Sequence, residues 1–157
     1  MTSDKALREQ LVVLLQGGKA HLKPREILDG VPPDLRGRRP QGVAHTAWQL
    51  LEHLRIAQWD ILEFSRDPDH VSPKFPEGYW PDSEAPPDEG AWDRSVASFH
   101  ADNEAMQVLV SDDAVDLFQP FAHGKGQTLL REALLAADHN AYHLGQFVQL
   151  RRLLGCY

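Results

Sequence analysis

Residues 127–154 read QTLLREALLAADHNAYHLGQFVQLRRLL, with no proline and one glycine. Leu130, Ala133, Leu134, Ala137, Ala141, Leu144 and Val148 recur at three- and four-residue intervals. At roughly 100° per residue they form one stripe, with Leu129, Ala136, Phe147 and Leu154 on its flank. The stretch predicts a long helix, apolar over a wide arc and therefore buried in a bundle. His139 and His143 lie within it, four residues apart. Four helical residues turn the chain by roughly 400°, so both imidazoles project from one face a single turn apart. Such a pair is a two-ligand grip on a transition metal, because neutral imidazole suits zinc, nickel, copper or iron.

Working back from this helix, three more segments carry helical periodicity. Residues 3–16 begin with Ser3 and Asp4 as caps, place Leu7, Leu11, Leu14 and Leu15 on one stripe, and stop at Gly17 and Gly18. A second helix is predicted over 41–65, where Val43, Ala47, Leu50, Leu54, Ala57, Ile61 and Phe64 share a stripe. A third spans 88–111 through Trp92, Val96, Phe99, Met106 and Val110, interrupted by Asn103. No segment sustains a period of two between turn signals. The fold class is therefore all-α, and a four-helix bundle in a single domain over residues 1–157 is the expected architecture.

The connections are long. Segment 18–40 carries Pro24, Pro32, Pro33 and Pro40, and segment 66–87 carries Pro68, Pro73, Pro76, Pro81, Pro86 and Pro87. Proline predicts that both are extended rather than helical. At about 3.3 Å per residue, segment 66–87 can retrace the length of the second helix, so that helices two and three run parallel across a long crossover. Phe75, Tyr79 and Trp80 give that crossover rings to pack with. Trp48, Leu51, Trp59 and Leu62 make the second helix apolar on a further side. Either the linkers cover that side, or a second subunit does and the protein is a homodimer.

Composition excludes several classes. The chain of 157 residues is 42% apolar, enough for a core that needs no metal or disulfide staple. Sixteen basic against 23 acidic residues leave a net charge of -7, and no basic run offsets it, so a nucleic-acid partner is not expected. With Cys156 as the one cysteine, neither an intrachain disulfide nor a Cys-x-x-Cys zinc site can form. Any metal must be held by histidine and carboxylate. The chain enters an amphipathic pattern directly after its first residues, and no apolar run reaches the ~18 residues of a membrane span, so a soluble cytoplasmic protein with no membrane partner is expected.

A third ligand candidate comes from the second helix. His53 lies roughly 60° from the centre of the apolar stripe, on the edge facing the bundle. Glu132 and Gln146 continue the polar seam on which His139 and His143 lie. Three imidazoles converging on one ion satisfy one another in a way that water cannot at a core edge. Three histidines with open positions is the pattern of a catalytic metal site; each could instead be a core-edge residue bonded to a carbonyl. Glu132 and Asp138 are candidates for an outer acceptor or a general base, against the commoner solvated role. His45 is turned roughly 80° from His53 and is expected in an outer layer or at the surface. His21, His70, His100 and His123 are expected to be solvated, with His123 the one best placed to border the site.

The motifs Trp48-Gln49-Leu50-Leu51-Glu52-His53 and Asp138-His139-Asn140-Ala141-Tyr142-His143-Leu144-Gly145-Gln146, separated by a proline-rich connection and a helix, resemble the DinB family of DinB/YfiT-like metalloenzymes. The resemblance implies a four-helix bundle with a long crossover between helices two and three, frequent homodimerisation, and a divalent metal, most often nickel or zinc and otherwise iron or manganese. Carried over residue by residue, it implies that His53, His139 and His143 are the ligands. Family activities include thiol-dependent transfer and isomerisation with low-molecular-weight thiols, and hydrolysis. The reading is a metal-dependent enzyme that activates water or a thiol against a small-molecule substrate. The alternative is a non-catalytic, stress-associated metal-binding or interaction bundle. No basic cluster flanks the motifs to receive an anionic thiol; Lys125, Arg131 and the arginines of residues 36–39 are the available basic groups.

Overall fold

In the computed structural model, which describes residues 3–157, the chain forms helices α1 (Ser3–Gln16), α2 (Pro24–Leu28), α3 (Ala47–Arg66), α4 (Ala91–Ser111) and α5 (Leu129–Leu154). Short 3₁₀ turns occupy Pro33–Leu35 and Glu77–Tyr79, and no strand forms among the described residues. The all-α expectation holds, with four long helices in a bundle. Helix α3 starts at Ala47 rather than near residue 41, because Thr46 caps it. The Thr46 hydroxyl accepts from the Gln49 amide at 3.2 Å while Gln49 Oε1 accepts from the Thr46 amide at 3.0 Å. Val43 therefore lies outside the helix. The expectation that segment 18–40 is wholly extended also fails, since Pro24 stands in the first turn of α2, where its missing N–H costs nothing.

Two apolar clusters build the core. One gathers Trp48, Leu51, Leu54, Trp92, Phe99, Leu144 and Phe147, and the other Leu11, Leu15, Leu62, Met106, Val110, Leu129 and Ala133. Full burial of each large side chain contributes about 1.5–3 kcal/mol. Between the clusters lies a layer of buried amides, one from each of three helices: Gln58, Asn103 and Asn140. Asn140 donates to Gln58 Oε1 at 2.7 Å and Asn103 donates to the same oxygen at 3.4 Å. Asn103 is thus a buried member of its helix stripe, not an interruption. The buried face of α5 is also turned from the predicted stripe toward its flank: Leu129, Ala136, Asn140 and Phe147 are buried, whereas Leu134 and Ala141 are exposed.

Pairings between helices give their directions. Ser95 meets Glu52 and Asn103 meets Gln58, so α3 and α4 run parallel. Leu50 and Leu54 cluster with Leu144, Phe147 and Leu150, whereas Ile61 and Leu62 cluster with Leu129 and Ala133, so α5 runs antiparallel to α3. The parallel pair is made possible by the crossover, which retraces α3 from end to beginning. His70 and Tyr79 bond Asp60, the Tyr79 carbonyl reaches His53, Ser83 accepts from the Trp48 indole at 3.0 Å, and the Glu84 carbonyl accepts from Thr46 at 2.6 Å. The crossover therefore covers the second apolar side of α3 at Trp48 and Trp59, whereas Leu51 and Leu62 pack into the two core clusters. Trp48, Leu51 and Leu62 are buried, and Trp59 remains at the margin against His70. No helix among the described residues is long and apolar enough to cross a membrane.

Candidate metal centre

His53 projects from α3 and His139 and His143 from successive turns of α5, and the three ligand nitrogens lie within 4.8 Å of one another. His53 Nε2 stands 3.0 Å from His139 Nε2 and 3.1 Å from His143 Nε2. The opposite ring nitrogens fix the tautomers. His53 Nδ1 donates to the Tyr79 carbonyl at 2.9 Å, and His143 Nδ1 donates to Gln146 Oε1 at 2.7 Å. Both neutral rings consequently present an Nε2 lone pair to the same point. Two lone pairs facing each other at 3.1 Å without a proton between them repel, unless a cation lies between. Nitrogen ligands about 2.0–2.1 Å from one ion, at angles of 90–109°, are separated by about 2.8–3.4 Å, and both distances from His53 Nε2 fall in that range. The donor set fits a divalent ion.

Electrostatics hold the rings in the ligating form. Burial pushes the pKa of His53 down to about 4, against the opposing bond to Tyr79, with His143 and His45 adding to the fall. Burial pushes His139 down to about 3, aided by His143 and His53. His143 is lowered by burial too, partly offset by Gln146. Neutral imidazole is the form that binds metal, so the free-energy cost of deprotonating these ligands is already met by the fold.

An aromatic wall closes one side. Trp80 of the crossover stacks on His53 with ring centroids 4.0 Å apart and planes 3° from parallel, and His45 stacks on Trp80 at 3.9 Å. His45 thus lies in an outer layer, as expected, and desolvation followed by the nearby Arg39 keeps its pKa low. Two of the three supporting groups had little or no signature in the sequence. The Tyr79 carbonyl is a backbone atom of a loop, and Trp80 carried only the general signal of a ring in a linker. Gln146, three residues after His143, was legible as part of the polar seam. On the inner side, His139 Nδ1 and Asn140 Oδ1 are buried without hydrogen-bond partners, next to the amide layer.

Other expected residues lie elsewhere. His123 does not border the site: its Nε2 faces the Phe64 carbonyl at 2.8 Å and its ring stacks on Phe121, near the far end of α3. His70 is not solvated, since Asp60 holds its Nε2 at 2.8 Å and its side chain is 8% exposed. His100 is half-buried beside Phe99, with its Nε2 shielded from solvent. His21 is exposed, as expected. Glu132 is buried and pairs with Arg131 at 2.6 Å; burial raises its pKa against that pairing. It is not among the grouped ligands, and Asp138 is exposed. Two of the loop arginines have partners elsewhere: Arg36 lies over Trp92 and Arg39 pairs with Glu84.

An all-α bundle with a parallel central pair, a long crossover and three convergent imidazoles defines the class. The chain belongs to the DinB superfamily, whose family model matches residues 23–147. That match covers both motif helices and the crossover between them. No curated protein and no solved structure matches the chain.

Proposed function

We propose that this protein holds one divalent metal ion, nickel or zinc, on His53, His139 and His143 and works as a metal-dependent hydrolase or thiol-dependent transferase on a small molecule. The observation that carries the reading is the pair of Nε2 lone pairs directed at one point by Tyr79 and Gln146. A bound divalent ion supplies a lowered pKa for a coordinated water or thiol, so that a nucleophile forms near neutral pH. The chain's own residues do the rest. The Tyr79 carbonyl and Gln146 orient two ligands, Trp80 shields a face of His53 from water, and a ligand set without carboxylate leaves the ion's charge free to favour an anionic fourth ligand. Hydrolysis and thiol transfer share this first step.

The test is elemental analysis of protein purified without an affinity tag, repeated on His53→Ala and His143→Ala. About one equivalent of metal in the wild type and its loss in both variants is the expected result. Wild-type protein that holds no stoichiometric metal under any loading condition overturns the reading. Stoichiometric metal without reactivity toward thiol, ester and amide panels would support the non-catalytic metal-binding alternative instead.

A further inference from the structure

A cavity of about 470 Å³ opens between the start of α3 and the last turns of α5, lined by Val43, His45, Leu50, Gly145, Gln146 and Leu150 among others. Leu50 stands one turn before His53 on α3, and Gln146 one turn after His143 on α5. Because the two helices are antiparallel, both displacements lead the same way, and the cavity meets the imidazole cluster through Gln146, which accepts from His143 Nδ1. Gln146 belongs to both places, as does His45 through its stack on Trp80. The volume is in the range of small-molecule sites. No Asp, Glu, Lys or Arg lines it.

Gly145 is the residue that needs explaining. It lies inside α5, where glycine weakens a helix relative to alanine. Its φ is not positive, so the backbone does not require it. Close packing does not require it either: a Cβ at this position would meet nothing within 4 Å. Gly145 is exposed and lines both this cavity and a second one beside Ala141 and Val148, so a longer side chain there would take space from them.

We propose that this cavity binds the apolar part of the metal site's substrate, an uncharged alkyl or aryl group laid over Gly145, an inference that rests on the metal-dependent reading above. The lining recognises it by apolar contact, with Gln146, Gln149 and His45 as the polar groups at hand. A charged portion of the substrate has no counter-ion in this cavity and must lie outside it.

The test has two arms. In the first, metal-free protein is titrated with the neutral fluorophore N-phenyl-1-naphthylamine. One molecule is expected to bind, at least tenfold more weakly in Gly145→Leu and with an intermediate loss in Gly145→Ala. In the second, cobalt-loaded protein is titrated with acetohydroxamate and hexanohydroxamate. The longer tail is expected to bind at least tenfold more tightly to the wild type, and that preference to collapse in Gly145→Leu while metal stoichiometry is kept. Far-UV circular dichroism checks that both variants fold. Fluorophore binding indifferent to residue 145, or hydroxamates with no tail preference, would overturn the proposal. The two readings fail separately: absence of metal sinks the metal site but leaves the first arm to report on the cavity, whereas bound metal with no effect of residue 145 sinks the cavity alone.

Discussion

Tyr79 holds His53 by its backbone and α3 by its side chain: its carbonyl oxygen accepts from His53 Nδ1 at 2.9 Å while its phenol donates to Asp60 at 2.6 Å. The phenol is itself kept protonated, because burial and then the bond to Asp60 raise its pKa. Tyr79→Phe keeps the ring and removes the anchor. A hydrogen bond to a charged acceptor contributes about 1.5–3 kcal/mol, and partners that orient metal ligands are worth about 10–100-fold in metal affinity. The variant is expected to unfold at lower urea and to bind zinc at least tenfold more weakly in a chelator competition. Unchanged zinc affinity would show that the carbonyl keeps its place without the phenol.

The lowered histidines make metal-free protein sensitive to acid. In the unfolded chain His53 and His139 titrate near the ordinary 6.5, and in the folded chain near 4 and 3. Between those values the unfolded state binds more protons, so stability rises with pH and is fully present above about 6.5. It is lost progressively as pH falls from about 6.5 toward 3. Tm scans of chelator-treated protein should show this decline, and His139→Ala should flatten part of it. A Tm independent of pH over that window would contradict the burial of the two rings.

Gln58 is the hub of the buried amides, since Asn140 and Asn103 both donate to its oxygen. Gln58→Leu leaves those donors unsatisfied, at about 1–3 kcal/mol for each group. Urea unfolding should give a loss of about 2 kcal/mol or more, larger than an exposed Gln→Leu change elsewhere on the surface. A neutral result would mean that the asparagines re-pair with one another.

Gly145→Ala should stabilise the protein while narrowing the cavity. Glycine inside a helix costs about 0.5–1 kcal/mol relative to alanine, and no neighbour opposes the added methyl. An increase of that size in unfolding free energy is expected. A decrease would reveal a backbone demand at this position.

Periodicity located the four long helices because each buries a continuous apolar stripe, and it brought His53 to the correct edge of α3. The α5 stripe was mis-centred because the burial of Asn140 and Arg151 pulls the helix round, and polar residues do not count toward an apolar stripe. Arg151 is buried because its guanidinium caps carbonyls of Glu26 and Ile27 at the end of α2, a tertiary use invisible to local pattern. Prolines in the crossover indicated a path without α-helix, interrupted only by the 3₁₀ turn Glu77–Tyr79 among the described residues, while the loop position of His70 suggested solvation, although its partner Asp60 lies on the face that the crossover covers. The Tyr79 carbonyl could not be read at all, since every residue carries one and only the path of the chain selects which will face His53.

The layer of Gln58, Asn103 and Asn140 also acts as an alignment index. Sliding α5 by one turn against α3 would push Asn140 among Leu and Ala side chains and strand Gln58, whereas an all-apolar seam would accept several offsets. His139 is the residue before Asn140, and His53 lies five residues before Gln58. The height at which the imidazoles of two helices meet is therefore set by amides that never touch an ion. Precision at the three-imidazole cluster is delivered from the middle of the bundle, so changes there should detune the cluster while leaving all three histidines in place.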